Sequence, residues 1–196
     1  MSTFLELGVR QDFIKALGEL GIKNPTEIQE ISIPILLHSK TDLIGLAQTG
    51  TGKTAAFGLP LLHLIDASRP EIQALILAPT RELVQQIKKQ LFKYTKYGDS
   101  KIYCEGIYGG EKIEKQINSL KRTTHIVVAT PGRLLDLIER GEINIKNIST
   151  LVLDEADEML SMGFKQDLNR ILKYTNGTRN TWLFSATMPE EIKRII

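Results

Sequence analysis

The sequence predicts an α/β fold, a mainly parallel sheet with helices on both faces, preceded by a short helical segment. Two observations support this prediction. Short apolar, β-branched runs alternate along the chain with stretches of helical periodicity, which is the order typical of βαβ units. The runs are also apolar at almost every position, which indicates strands that are buried on both faces of the sheet.

Six segments have the composition and length of strands. They are Leu43–Leu46, Ala74–Ala78, Ile102–Ile107, His125–Ala129, Thr150–Leu153 and Thr181–Ser185. Helical periodicity is found between them, in Lys53–Ile65, Thr80–Tyr97, Glu111–Leu120, Arg133–Arg140 and Phe164–Tyr174. Because helical crossovers connect most of these strands, we expect the strands to pair in parallel.

Two amphipathic helices are predicted ahead of the first strand, Gln11–Leu20 and Thr26–His38. We therefore expect residues 1–40 to form an N-terminal helical segment that packs on a core of residues 41–196. No internal repeat and no Pro-, Gly- or Ser-rich linker divides this core. At the other end, Glu190–Ile196 has the pattern of a helix start, so we expect the chain to be part of a longer protein.

The composition is that of an ordinary globular domain, with 42% hydrophobic and 24% charged residues. No apolar run approaches the length of a membrane span, and the N-terminus lacks the basic start and apolar core of a signal peptide. The single cysteine, Cys104, excludes an internal disulfide framework and suits a reducing compartment. We expect a cytoplasmic protein, monomeric by default, that does not associate with a membrane.

Basic residues are concentrated in the middle of the chain. From Arg81 to Arg122 there are ten Lys or Arg residues and five Asp or Glu residues, although the net charge of the whole chain is only +2. Such a surplus favours a surface that faces phosphate. A solvated face on the Lys-rich helix around Lys88–Lys96 explains the surplus equally well.

A glycine-rich loop follows the first strand. Ala47–Thr54 has the sequence A-Q-T-G-T-G-K-T and departs from the phosphate-loop pattern G-x-x-x-x-G-K-[S/T] only at Ala47. Lys53 supplies a cation for the β- and γ-phosphates, and the Thr54 hydroxyl a ligand for Mg²⁺. The alternative is a Gly-rich turn that only caps a helix. The loop residues expected to bind the nucleotide are Gln48, Thr49, Gly50, Thr51, Gly52, Lys53 and Thr54.

An acidic segment follows the fifth predicted strand, where Asp154-Glu155-Ala156-Asp157 comes directly after Leu153. Nucleotide hydrolases need a second acidic element at a strand end, to hold the metal and to orient water. Asp154 is suited to reach Mg²⁺ through water, and Glu155 to accept a proton from the attacking water. Lys53, Asp154 and Glu155 are therefore the candidate catalytic residues. Asp157 also fits as a first-turn acid that the helix dipole favours.

The D-E-A-D sequence resembles the signature of the DEAD-box ATP-dependent RNA helicases, and further segments between Phe4 and Thr187 resemble the other first-domain motifs in order. Pro25–Gln29 resembles the Q motif, Ala47–Thr54 motif I, Pro79–Leu83 motif Ia, Gly109-Gly110 the glycine doublet, Thr130–Arg133 motif Ib and Ser185–Thr187 motif III. The chain is thus similar to the N-terminal RecA-like domain of this family. Nothing in it resembles the second RecA-like domain.

The resemblance implies that Gln29 hydrogen-bonds the adenine edge, since its amide can donate and accept at once. Phe4 and Thr26 would support it. Ile22 stands where the family usually has an aromatic ring, which implies an apolar contact with the base instead of stacking. Adenine recognition at this site argues against a DNA-translocating helicase, one of two alternatives. The other, a binding module with a vestigial nucleotide site, conflicts with the intact acidic and basic residues.

The resemblance also implies contacts with the backbone of single-stranded or short duplex RNA. The residues concerned are Pro79, Thr80, Arg81, Gly109, Gly110, Thr130 and Arg133. Thr130-Pro131 fits a plain helix start as well, and a helix N-terminus is itself a phosphate site.

Asp157, Ser185 and Thr187 would couple the nucleotide site to RNA through hydrogen bonds. The arginines that complete ATP hydrolysis lie on the second RecA-like domain in this family. The isolated chain is therefore expected to bind ATP, Mg²⁺ and RNA weakly, without unwinding.

Overall fold

Six parallel strands form one sheet in the computed structural model, which describes residues 2–193, with side chains as far as residue 191. Along the sheet the strands follow the order β1-β6-β5-β2-β4-β3, and each neighbouring pair is parallel. The strands are β1 (Leu43–Leu46), β2 (Ala74–Leu77), β3 (Cys104–Ile107), β4 (Ile126–Ala129), β5 (Thr150–Asp154) and β6 (Asn180–Ser185). The mainly parallel sheet predicted from the sequence is confirmed.

Helices precede and connect the strands. In the described range they are α1 (Gln11–Glu19), α2 (Glu27–His38), α3 (Lys53–Leu64), α4 (Arg81–Tyr94), α5 (Ile113–Leu120), α6 (Pro131–Glu139), α7 (Ala156–Ser161), α8 (Lys165–Lys173) and α9 (Glu190–Lys193). The helix start predicted at Glu190 is present as α9, and Arg194–Ile196 lie outside the described residues, as does Met1. None of the helices between residues 2 and 193 is both long and apolar enough to cross a membrane.

One predicted helix begins earlier than expected, and one observed helix was not predicted, each for a local reason. The helix predicted from Arg133 begins at Pro131, because proline at the first helical position has the required φ and loses no hydrogen bond there. Helix α7 has only six residues, too few for a helical period to be visible in the sequence.

The sheet carries an apolar cluster on each face. Along β2, Ala74 and Ile76 join the cluster beneath α1–α4, whereas Leu75 and Leu77 join the cluster beneath α6–α8. Alternate side chains of a strand point to opposite faces, so a strand that is apolar throughout fits a sheet covered on both sides. Each buried Leu or Ile contributes about 1.5–3 kcal/mol relative to exposure. The predicted helices on both faces are confirmed.

The two N-terminal helices pack on the first of these faces. Phe13 and Leu17 of α1 and Ile33 and Leu36 of α2 are buried in the same cluster as the side chains of α3 and the sheet. This packing brings the start of α2 against the loop that follows β1. The division of the chain at residue 40 stays a prediction, since both parts share one apolar core.

The predicted site segments that follow a strand lie at the carboxyl edge of the sheet, where ligands bind in open α/β folds. Strands β1, β6 and β5 are neighbours, so the loops that begin at Ala47, Ala186 and Glu155 meet at one half of this edge. Strands β2, β4 and β3 bring the loops beginning at Ala78 and Thr130, and the loop after β3, together at the other half.

Candidate functional site

The loop after β1 has the backbone conformation of a phosphate cradle. Gly50 (φ 80°) and Gly52 (φ 91°) are both left-handed, a conformation that other residues rarely adopt. The Thr51 hydroxyl donates to the Gln48 carbonyl at 2.7 Å, which closes the loop on itself. Gly52 is the N-cap residue of α3, so the helix N-terminus faces the same space. The loop therefore presents backbone N–H groups and a helix dipole to an anion.

The positive charge of Lys53 lies in the protein interior. Its side chain is 6% exposed, and its Nζ has no hydrogen-bond partner among the described residues. Because a buried ammonium group without a partner is costly, such a group indicates a binding site for an anion. The glycine cradle and this free cation together fit a nucleotide phosphate, with Thr54 next in sequence to supply a hydroxyl to its metal.

Asp154 lies at the end of β5, buried beside the same cation. Burial raises its pKa to about 7; the positive charge of Lys53 opposes the rise, the negative charge of Glu155 adds to it, and the hydrogen bond from the Glu155 N–H opposes it. That N–H donates to Asp154 Oδ1 at 3.0 Å. A divalent cation would add positive charge beside this buried carboxyl group, so the residues present fit Mg²⁺.

Glu155 has a strained backbone. Its φ of 51° is positive, and among the described residues it is the one non-glycine with this property. A left-handed conformation at such a residue costs on the order of 1 kcal/mol and is found most often at functional sites. This conformation turns the chain between β5 and α7 at the partly exposed Glu155, which follows Asp154 directly.

Gln29 contacts the phosphate loop directly. It is only 2% exposed; its Nε2 donates to the Gly52 carbonyl at 3.0 Å, and its Oε1 accepts from the Thr26 N–H at 3.0 Å. A Cβ at Gly52 would lie 2.3 Å from Gln29 Nε2, so the loop needs glycine there for space as well as for φ. Of the other residues assigned to adenine, Phe4 is buried in the core and Ile22 is half-buried.

The acidic segment is tied to the end of β6. Asp157 Oδ2 accepts hydrogen bonds from the Thr187 N–H at 2.9 Å and the Thr187 hydroxyl at 2.8 Å. The Asp157 N–H donates to Ser185 Oγ at 3.2 Å. Partial burial acts to raise the pKa of Asp157, but the polar contacts with Thr187 and Ser185 outweigh it and the pKa is lowered. These bonds link the acidic segment to the strand beside the phosphate loop.

The other half of the carboxyl edge holds the residues assigned to RNA. The Arg81 guanidinium lies 5.0 Å from the centroid of the Tyr108 ring, and Nη1 donates to the Gly110 carbonyl at 3.5 Å. Arg81 and Gly110 are exposed, as is Gly109, whereas Pro79 is buried below them. The Thr80 hydroxyl caps α4 by accepting from the Leu83 N–H.

Arg133 is held by contacts that no motif in the sequence indicates. Its Nη1 donates to the Glu111 carbonyl at 3.1 Å and to Gln116 Oε1 at 3.2 Å. Gln116 is buried, and its Nε2 donates to the Tyr108 carbonyl at 2.8 Å. Gln116 thus joins Tyr108, which precedes the glycine doublet, to Arg133 near the start of α6, where Thr130 is the buried N-cap residue. A single Gln on an amphipathic helix carries no sequence signal for this role.

The chain is similar to known helicases over its whole length. The DEAD/DEAH box helicase family model matches residues 26–195. The ATP-dependent RNA helicase CshA of Listeria monocytogenes is 51% identical over 195 residues, which cover 100% of this chain and 37% of the relative. The DEAD-box ATP-dependent RNA helicase CshA of Geobacillus kaustophilus is 48% identical and is covered to 41% of its length.

The fold agrees with these sequence relatives. The crystal structure of a DEAD box protein from the hyperthermophile Methanococcus jannaschii superimposes with a TM-score of 0.92 at 42% identity, covering 98% of this chain and 52% of that chain. The chain thus spans about two fifths of the length of the curated relatives it matches, which corresponds to one RecA-like domain. With a family model matched over residues 26–195, the chain belongs to the DEAD/DEAH box helicase family.

Proposed function

We propose that the chain is the ATP-binding domain of an ATP-dependent RNA helicase that couples ATP binding and hydrolysis to local unwinding of an RNA duplex. The observation that carries the proposal is the buried Lys53 Nζ without a partner. It lies at the N-terminus of α3, directly after a glycine loop, and its charge acts on Asp154. The printed names of the relatives, ATP-dependent RNA helicases, agree with this use of the site.

Each residue of the nucleotide half has a distinct task in this proposal. Backbone N–H groups from Gln48 to Gly52 and the Lys53 ammonium bind the phosphates of ATP. Mg²⁺, when bound with the nucleotide, neutralises charge on the β- and γ-phosphates, and Thr54 and Asp154 would hold it, Asp154 through water. Glu155 accepts a proton from the water that attacks the γ-phosphorus, while the bond to the bridging oxygen breaks and ADP leaves.

Adenine is recognised from the start of α2 in this proposal. Gln29 would exchange a hydrogen bond inside the protein for one to the adenine edge, with Thr26 beside it. Ile22 is half-buried and would offer an apolar contact to the base. Phe4, buried in the core, would support this site from beneath. The contact between Gln29 and Gly52 supports this proposal, because it connects base recognition to the phosphate loop.

RNA would bind across the other half of the carboxyl edge. Arg81 and Arg133 donate to phosphates, Gly109 and Gly110 allow the backbone to approach, and Thr130 lies at a helix N-terminus. Thr80 and Pro79 position this segment. None of these groups reads a base edge, so binding is independent of sequence. Asp157, Ser185 and Thr187 would transmit the state of the nucleotide site to this half.

Full activity requires a second RecA-like domain in this proposal. Arginines that meet the charge developing on the γ-phosphate raise phosphoryl-transfer rates by about 10³–10⁵-fold in related nucleotidases. The chain spans 37–41% of its relatives, which leaves ample length in them for such a domain. The 196 residues alone would bind nucleotide and RNA weakly, as a cytoplasmic monomer, and would not unwind a duplex.

The proposal is tested by joining this chain to the C-terminal remainder of the Listeria monocytogenes relative. ATP hydrolysis is measured without nucleic acid, with oligouridylate, and with a DNA oligomer of the same length in place of the RNA. We expect the joined protein to hydrolyse ATP in an RNA-dependent manner, and the chain alone to show little turnover. A Glu155→Gln variant of the joined protein controls for contaminating enzymes. Turnover that RNA does not raise, or that DNA raises equally, would contradict the proposal.

A further inference from the structure

A second concave surface lies away from the phosphate loop. It is a groove of about 1020 Å³ between α4, the edge strand β3 and the segment 98–103, with the end of α1 as its floor. Strand β3 pairs only with β4 in the described sheet, so no further strand covers this side. None of the residues of the phosphate loop or the acidic segment lines the groove. We refer to it as the α4–β3 groove.

The α4–β3 groove is electropositive. Five lysines line it, and the acidic residues in its lining are Glu19 and Glu105. Lys88 pairs with Glu105 and Lys96 pairs with Glu19, so both carboxylates are neutralised. Within the part of the chain that the structure describes, the other three lysines have no acidic partner: Lys89, Lys93 and Lys101. An excess of three positive charges around a concave surface attracts a polyanion.

Aromatic rings stand among these lysines. Phe92 is 78% exposed, and Tyr103 is 47% exposed. Both line the groove. Large aromatic side chains open to water, interleaved with unpaired lysines, are the combination that binds single-stranded nucleic acid. The bases stack on the rings and the lysines follow the phosphates. A helix face that is only solvated would account for the lysines. It would not account for the exposed Phe92 between Lys89 and Lys93.

The groove is continuous with the carboxyl edge. Arg81 lies over the Tyr108 ring, and Gln85 Nε2 donates to the Tyr108 hydroxyl at 3.0 Å. Gln85 and Tyr108 are themselves part of the groove lining. Along α4, Phe92 lies about 16 Å from Arg81 at 1.5 Å per residue. A strand held at Arg81 and Gly110 can therefore enter the groove after a few nucleotides.

We propose that the α4–β3 groove binds a single-stranded RNA segment that flanks the part held at the carboxyl edge. Lys89, Lys93 and Lys101 contact its phosphates, and Phe92 and Tyr103 stack its bases. The proposal rests on the proposed function, because the strand enters from Arg81 and Gly110. The groove would therefore add affinity for long RNA strands, which reach it, and none for short strands, which do not.

The test compares oligouridylates of about 6 and about 14 nucleotides, lengths that bracket a single-stranded site of this size, by fluorescence anisotropy at low salt with the whole chain. We expect Phe92→Ala to weaken the long oligomer about tenfold and to leave the short one unchanged. Lys89→Gln with Lys93→Gln should lower the salt slope for the long oligomer by about 0.7 per lysine. Tyr174→Ala and Lys146→Gln, at exposed sites outside the groove, are the matched controls and should change neither.

The outcomes separate this proposal from the proposed function. If Phe92→Ala and Tyr174→Ala change binding of the long oligomer equally, the groove proposal is wrong. If Arg81→Ala at the same time weakens binding of both oligomers, the carboxyl-edge site is retained. Failure of both oligomers to bind overturns both. Binding of a Glu- and Leu-rich peptide that depends on Phe92, without Phe92-dependent RNA binding, assigns the groove to an acidic protein partner and overturns the RNA proposal. Circular dichroism of each variant checks that it is folded.

Discussion

At the residue scale, Lys53 combines a structural cost with a functional gain. Its buried ammonium has no partner within the described chain, so Lys53→Ala removes a cost and should not lower the melting temperature of the nucleotide-free protein. The same variant loses a charge-assisted contact with phosphate, of about 1.5–3 kcal/mol, and should bind ADP about 10–100-fold more weakly. Displacement of a fluorescent ADP analogue and thermal unfolding measure the two effects. A variant that unfolds earlier and binds ADP normally would show that Lys53 is only structural.

Asp154 makes stability depend on pH. Its pKa is raised to about 7 in the folded protein, so in the window from its ordinary value near 4 up to about 7 the folded state holds a proton that the unfolded state has lost. Its contribution to stability is therefore lost as pH rises through this window. Asp154→Asn removes this loss. We expect the variant to melt later than the parent at pH 8, by roughly 2–4 °C per kcal/mol regained, and about equally at pH 4. An earlier melting at pH 8 would contradict the assigned cause.

Gln29 tests whether base recognition and the phosphate loop are physically connected. Gln29→Ala leaves the Gly52 carbonyl and the Thr26 N–H without their partner, at a cost of about 1–3 kcal/mol. Gln29→Glu is the matched variant, because it keeps an acceptor for Thr26 but cannot donate to Gly52. Both variants should melt earlier and lose the preference for ADP over GDP in titrations. Unchanged melting temperatures and an unchanged preference for ADP in both variants would contradict this connection.

The chemical role of a single residue was easier to predict from the sequence than the residues that it contacts. Lys53 and the glycines at 50 and 52 follow from local spacing, because one loop contains the whole pattern. Gln116 does not, because its role depends on Tyr108 and Arg133, which three different elements bring together. The positive φ of Glu155 is also invisible in the sequence, since glutamate carries no signal for it.

At the element scale, α7 and the end of β6 act as one unit. Thr187→Val keeps the shape of the side chain but removes the hydroxyl bond to Asp157, while Thr187→Ser keeps that bond and is the control. Because the Thr187 hydroxyl bond ties the segment after β6 to α7, we expect faster amide hydrogen exchange at residues 186–188 in the valine variant alone. Equal exchange in both variants would show that the hydroxyl bond does not hold this segment.

Helices and strands were predictable from the sequence where they are long enough to show a hydrophobic period. The six strands and the longer helices appear in the sequence within a few residues of their observed bounds. The six-residue α7 does not, and neither does the contact of α2 with the phosphate loop. That contact joins residues that are 23 positions apart in the sequence and that the shared core brings together. Hydrophobic periodicity predicts single helices and strands, and it does not predict such contacts between them.

At the scale of the whole molecule, strand order divides the carboxyl edge into two halves. The loops after β1, β6 and β5 hold the residues assigned to nucleotide binding and coupling, and the loops after β2, β4 and β3 hold those assigned to RNA. Strands β5 and β2 are neighbours, so the two halves share a boundary. The boundary between β5 and β2 is where we expect a change at the acidic segment to affect the second half.

We expect this domain to bind adenine nucleotide through its glycine loop, with Gln29 beside it. The most direct measurement is a pair of calorimetric titrations of the nucleotide-free chain, one with ADP–Mg²⁺ and one with GDP–Mg²⁺. We expect ADP to bind at least about tenfold more tightly than GDP, a difference of about 1.4 kcal/mol. Equal binding of the two would contradict adenine recognition at α2, and binding of neither would contradict the nucleotide site itself.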